Sequence, residues 1–253
     1  MSIAPRLRDL QSRFPFARPL KFGLYNLATR LFGKPMQREF RLLRPPFACN
    51  LAVDIGGNWG QSVWALKKIA RPRQIISFEP GSFLADHLRR SFAGHGDVRI
   101  EQCALGDKAG SFTLHVPVYR GFVYDGLGSL VRAEAESWLN ADRLHNFDPA
   151  LLKIVSEEVQ VRTLDDFNLS PDVIKIDVQG AELAVVKGGL ETFRRSQPIT
   201  FIETPSAELI ELLGSLGLKA YLSDGSSLVE HDTSPAADVV FISDERRKAL
   251  AIG

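Results

Sequence analysis

From Cys49 onward, apolar runs of strand length alternate with segments of helical spacing, which restricts the chain to a small set of architectures. Residues 50–55 form a continuous apolar run, and Val63, Leu66 and Ala70 follow at helical intervals. Residues 73–78 read as a second strand and 82–92 as a second helix. Strands over 98–104 and 111–116 flank a turn at 105–110, where Gly106, Asp107 and Gly110 supply the turn chemistry. The series continues with strands at 158–163 and 172–177, a helix at 181–193, a strand at 199–203 and a helix at 207–216. It ends with strands at 218–222 and 239–242. Near-continuous Val, Ile and Leu in most of these strands imply a mostly parallel sheet covered by helices on both faces. Asp224-Gly225, a hairpin-type signal between the last two strands, predicts an antiparallel pair at one edge.

Two segments stand outside the alternation. Residues 117–157 open with Pro117, Gly121, Gly126 and Gly128 and turn polar and helix-like from Arg132 to about Leu152; a connection this long reads as an active-site lid or an insertion. Its Tyr119, Phe122, Tyr124 and Trp138 either line an acceptor pocket or pack the insertion itself. Residues 1–49 read as a basic, amphipathic helical extension, with Leu20, Phe22, Leu24, Leu27, Leu31 and Phe32 among its apolar positions. Its first 44 residues hold ten Lys and Arg against Asp9 and Glu39, a balance of +8, while the rest of the chain stands at −7. Such an arm either meets an anionic surface such as a lipid leaflet, or is a solvated helix packed on the domain. The acidic body argues against nucleic acid as a partner. Residues 50–243 would then be one domain and 244–253 a C-terminal tail. With 45% apolar and 24% charged residues the chain can bury a sizeable core. No apolar stretch is long enough to span a bilayer, and the opening residues lack a secretory pattern. Cys49 and Cys103 are the only cysteines and the five histidines have no ligand-like spacing, so no metal is expected and a reducing, cytoplasmic setting is the default.

The most informative segment is Val53-Asp54-Ile55-Gly56-Gly57-Asn58-Trp59-Gly60, at the carboxyl end of the first strand, where open parallel sheets bind ligands. It fits neither phosphate-binding pattern: no Lys-Ser/Thr follows Gly60, and Asn58 and Gln61 stand where a dinucleotide fingerprint needs glycine. An acid directly before the turn suits a cationic ligand. S-adenosylmethionine offers an ammonium, a carboxylate and a sulfonium without phosphate; the helix N-terminus would accept the carboxylate while Asp54 organises the ammonium directly or through water. The other reading of these glycines is a tight strand-to-helix turn and nothing more. Glu79, 19 residues beyond Gly60 and fixed by Pro80 at the end of the second strand, sits where nucleotide-binding folds accept hydrogen bonds from ribose hydroxyls.

In Ile174-Lys175-Ile176-Asp177-Val178-Gln179-Gly180-Ala181-Glu182, Lys175 and Asp177 share a face of a central strand. Buried charges there need either mutual pairing or a role in catalysis. Glu203 ends the next strand, so Asp54, Glu79, Asp177 and Glu203 are all expected on one rim.

These motifs, together with Ala104-Leu105-Gly106-Asp107 and Val161-Arg162-Thr163-Leu164-Asp165-Asp166, resemble the FkbM-type methyltransferase family over roughly residues 50–243. The resemblance implies a Rossmann-like class I methyltransferase fold with a seven-stranded sheet, and O-methylation of a hydroxyl on a sugar or secondary-metabolite acceptor. It places S-adenosylmethionine against Asp54, Gly56, Gly57, Asn58, Gly60, Glu79, Pro80, Ala104, Leu105 and Asp177. Asp177 and Glu182 become the candidate bases, Glu203 the acceptor-positioning group and Lys175 the residue that sets their charge. Trp59 is bulkier than the family residue at its position, and Gln179 replaces a usual acid. Gln179 keeps open a binding module that has lost transfer; an NAD-dependent oxidoreductase is the other rival, disfavoured by Asp54 and the missing glycines.

Overall fold

The computed structural model describes Phe14 and residues 17–35, 37–234, 236 and 238–250. Phe16 and most of the first sixteen residues of the basic arm, and the last three of the tail, lie outside the described residues.

Five parallel strands make the body of the main sheet: β1 (Leu51–Ile55), β2 (Gln74–Phe78), β3 (Val98–Glu101), β8 (Val173–Ile176) and β9 (Ile199–Glu203). β1 lies between β2 and β8, and its last four residues are buried, as its unbroken apolar run requires. Crossover helices α2 (Gln61–Ile69), α3 (Ser82–Ser91), α5 (Glu182–Lys187), α6 (Leu190–Ser196) and α7 (Ala207–Ser215) connect the strands. β10 (Lys219–Ser223), β11 (Leu228–Glu230) and β12 (Asp238–Ile242) complete a sheet in the order β11-β10-β12-β9-β8-β1-β2-β3. The sheet therefore has eight strands rather than seven. The Asp224-Gly225 turn joins β10 to the short β11, while β12 inserts antiparallel between β9 and β10. β11 escapes a periodicity reading because only three residues pair and all stay at least partly exposed.

The segment expected as a lid or insertion, helix-like from Arg132 to about Leu152, has its two ends in a second sheet. β4 (Ala104–Leu105), β5 (Gly110–Tyr119), β6 (Phe122–Val123) and β7 (Leu152–Arg162) lie in the order β4-β7-β5-β6. β5 and β7 pair antiparallel from Gly110↔Val161 to Tyr119↔Leu152. Residues 117–119 and 152–157 thus belong to strands, and the only α-helix between them is the short α4 (Arg132–Ser137). Their polar composition reflects a solvated ribbon held by cross-strand polar pairs: Ser111 and Thr113 donate to Glu158, and the His115 ring meets the Ser156 hydroxyl at 2.8 Å. At its tip, Tyr119, Leu139 and Leu144 form a small separate core.

The N-terminal segment is built into the domain. α1 (Ala17–Phe32) lies on α2, and the 3₁₀ turn Arg38–Leu43 sends Phe40, Leu42 and Leu43 into the main core, with Phe40 edge-on to Phe201 at 4.9 Å. Residue 50 is therefore no boundary in packing. Trp59, the bulky member of the glycine turn, explains the docking: the Phe22 ring stacks on it at 5.8 Å and the Asn26 amide donates to its carbonyl. After β12, α8 (Asp244–Ala249) is tied down by Arg246, which donates to Asp172 and to the Ser196 carbonyl.

Candidate active site

The turn after β1 sets the geometry. Gly56 has φ +87°, and a Cβ there would stand 1.9 Å from the Asp177 carbonyl oxygen, so only glycine lets β1 exit this close to β8. The Gly56 and Gly57 amides both donate to the Phe78 carbonyl, binding the turn to the end of β2. Gly57 packs against Ser77 and Leu88, and Gly60 begins α2 against Phe92 and Leu88. Both pack behind the turn, outside the two cavities described below.

Across the strand ends lies a cavity with Gly56 and Asn58 on its floor, Glu79, Pro80 and Leu84 along one side, and Cys103, Ala104 and Leu105 beyond them. Asp177, Val178 and Gln179 form the opposite side, and the β5–β7 tip roofs it with Asp125, Ser129, Val131 and Glu134. Residues 125–134 thus cover a cavity, while Tyr119 stacks on Phe147 and Trp138 on Arg143 away from it. Glu79 is the fixed point. It accepts from the Asn58 amide on Oε2 (2.9 Å) and the Gly81 amide on Oε1 (3.0 Å), and burial pushes it up to about 7. Four carboxylates line this cavity and no described Lys, Arg or His does. That electrostatic character suits a cation and offers phosphate no counter-charge.

Behind the glycine turn runs a buried relay dictated by strand register: Asp54 stands opposite Ser77 on β2 and Lys175 on β8. Ser77 donates to Asp54 Oδ2 at 2.8 Å, while Lys175 Nζ lies 3.8 Å from Asp54 Oδ1. The same ammonium donates to the Gly56 carbonyl (3.1 Å) and pairs with Asp177 Oδ2 (3.2 Å). Burial pushes Asp54 up despite Lys175. Burial would lower Lys175, but Asp177 and Asp54 more than offset it and hold the ammonium charged. Asp54, expected to organise a ligand ammonium directly or through water, is fully buried one residue short of the strand end, lines neither this cavity nor the one beside it, and faces Lys175 and Ser77.

Asp177 is the junction. Burial opposes its charge, but Lys175 and hydrogen bonds from Glu203 and the Gln179 amide (3.0 Å) hold it below the usual carboxylate range. Gln179 therefore gives Asp177 a donor where an acid would give it repulsion. Asp177 also borders a second cavity, which shares Gly56 and Asn58 with the first and adds Glu39, Lys175, Glu203 and Asp238. Glu203 is exposed as a residue, yet its carboxyl faces Asp177, and desolvation followed by Asp177 pushes it up to about 8. Asp238, its register partner on β12, is raised for similar reasons, and burial raises Glu39 to about 7.

Glu182 does not join them. Its carboxylate accepts from the Val178 and Gly180 amides and lines neither cavity, so it fastens the loop after β8. Sequence reasoning missed Glu39 and Asp238, which reach the site from distant segments; the sole signal was an isolated acid beside apolar residues in each. It also missed Asp125 and Glu134, masked by the polarity of their surroundings.

Fold and site define the class: a Rossmann-like α/β protein with a cavity across the carboxyl ends of its parallel strands. Residues 54–217 match the model of the methyltransferase FkbM domain. The chain belongs to the FkbM methyltransferase family. It is 29% identical over 177 residues to the 2-O-methyltransferase NoeI of Sinorhizobium fredii, covering 67% of this chain and 68% of that one. It is also 29% identical over 147 residues to Methyltransferase 1 of Beauveria bassiana, covering 54% of this chain and 57% of the relative. Among solved structures, an FkbM methyltransferase from Methylobacillus flagellatus aligns with a TM-score of 0.48 at 15% identity, over 82% of this chain and 48% of that one.

Proposed function

We propose that the protein transfers the methyl group of S-adenosylmethionine to a hydroxyl oxygen of a saccharide or similarly polyhydroxylated acceptor. The observation that carries this reading is the first cavity, lined by Glu79, Asp125, Glu134 and Asp177 and by no described basic side chain. A cationic nucleoside without phosphate fits that lining, and an NAD pyrophosphate does not. Glu79 would accept from the ribose hydroxyls, the Leu84, Cys103, Ala104 and Leu105 wall would take the base, and Gly56, Asn58 and Asp177 would hold the amino-acid end. When bound, S-adenosylmethionine supplies a methyl group already activated on sulfur. The protein's task is then alignment, worth on the order of 7–11 kcal/mol when geometry is tight.

The acceptor enters from the second cavity, where Glu39, Glu203 and Asp238 offer carboxylate oxygens to sugar hydroxyls. The name of NoeI, a 2-O-methyltransferase, supports oxygen as the atom methylated. Asp177 and Glu203 titrate as a pair, with Asp177 charged and the proton resting on Glu203 at neutral pH. Ionised Glu203 takes the proton that the acceptor hydroxyl must lose. Lys175 positions Asp177, and Asp177 holds Glu203.

The test combines binding with turnover. S-adenosylhomocysteine should bind in calorimetry and NAD should not; labelled methyl from S-adenosylmethionine should reach an oligosaccharide panel. With an acceptor in hand, kcat/KM should rise with pH through a midpoint near 8, and Glu203→Gln should flatten the profile while leaving S-adenosylhomocysteine affinity unchanged. Binding of NAD in place of the homocysteine derivative would overturn the donor assignment. An unaltered pH profile in Glu203→Gln would overturn the base.

A further inference from the structure

α1 has two faces with opposite fates. Phe22, Asn26 and Arg30 attach one of them to α2 and the glycine turn: Phe22 stacks on Trp59, the Asn26 amide donates to its carbonyl, and the Arg30 guanidinium lies 4.4 Å over the Trp64 ring. On a helix of 3.6 residues per turn, Leu20, Leu24, Leu27 and Leu31 fall within an arc of about 60° on the other side. These four and the adjoining Phe32 are between 45% and 71% exposed. A domain does not expose five large apolar side chains along one docked helix as ordinary surface scatter.

Charge selects the occupant. The stripe belongs to the segment with a balance of +8, whereas the body beneath it stands at −7. Exposed Lys34 follows the helix, and exposed Lys68 on α2 reaches Gly33 beside its end. An apolar stripe lying flat on a domain and bordered by cations is the pattern of a helix that rests in the headgroup region of an anionic bilayer. No described helix is long and apolar enough to cross one. The stripe and its charges lie almost wholly outside residues 54–217, so family membership does not account for them.

We propose that α1 is an interfacial membrane-binding helix: Leu20, Leu24, Leu27, Leu31 and Phe32 enter the outer edge of an anionic leaflet, and the basic arm supplies the attraction. The docked face stays on α2, so the acceptor cavity bordered by Phe22 and Glu39 would open close to the lipid surface.

The test uses the full chain with phosphatidylcholine–phosphatidylglycerol vesicles. The protein should sediment with them, weaken steeply as salt rises, and fail to bind phosphatidylcholine alone. The Leu24→Gln/Leu31→Gln variant alters only exposed side chains and should keep its fold by circular dichroism while binding about tenfold more weakly. Three results would overturn the proposal: no sedimentation with anionic vesicles, undiminished binding by the variant, or a dimer in sedimentation velocity that the variant abolishes, which would assign the stripe to a second copy.

Discussion

At the scale of single residues, the site depends on one ammonium. Lys175 serves the Gly56 carbonyl, Asp177 and Asp54 from a nearly sealed position, so its removal strands two carboxylates. Lys175→Ala should cost about 3–5 kcal/mol in urea unfolding, well beyond the loss of side-chain packing alone. Glu79 carries a different burden. Both its oxygens already accept backbone amides, so Glu79→Gln turns an NH₂ toward the Asn58 or Gly81 amide. Its affinity for S-adenosylhomocysteine should fall about 10- to 100-fold, consistent with about 1.5–3 kcal/mol for a charged hydrogen-bonding group, as calorimetry would show. Glu182 teaches the converse lesson. Its spacing from Asp177 was visible in the sequence, but spacing alone cannot say whether a carboxylate turns toward a cavity or back onto its own loop.

Among the elements, β1, β2, β8 and β9 were legible because strands buried on both faces need unbroken apolar runs. β7 was legible only at its far end. Over 152–158 none of its residues is fully buried, and polar cross-strand pairs such as His115 with Ser156 and Thr113 with Glu158 weaken the apolar signature. Glu79, Asp177 and Glu203 could be placed because each follows or ends a readable strand, whereas Glu39 and Asp238 join them only through tertiary packing. Trp59 looked like a departure from pattern and is the seat of α1. Trp59→Ala removes the ring on which Phe22 stacks, so amide exchange across α1 should accelerate strongly while the sheet stays protected. Equal acceleration throughout the domain would show that the helix and the sheet unfold as one unit.

For the molecule as a whole, the buried acids give stability a pH dependence of definite sign. Glu79 and Glu39 titrate near 7 in the folded chain and near 4.5 when unfolded, so the folded state holds more protons between those values. Stability should therefore be greatest on the acidic side of that window and fall as pH rises from about 5 to about 7. Thermal unfolding should show the decline, and Glu79→Gln should make it shallower. The first cavity is walled by residues between Ile55 and Ala181, whereas the second adds Gln37, Arg38 and Glu39 from before the family-matched region. The two cavities share Gly56, Asn58 and Asp177, but of the two only the second draws on that leading stretch. If the second cavity receives the acceptor as proposed, substitutions at Gln37, Arg38 or Glu39 should change which hydroxyl compound is modified while leaving S-adenosylhomocysteine affinity unaltered.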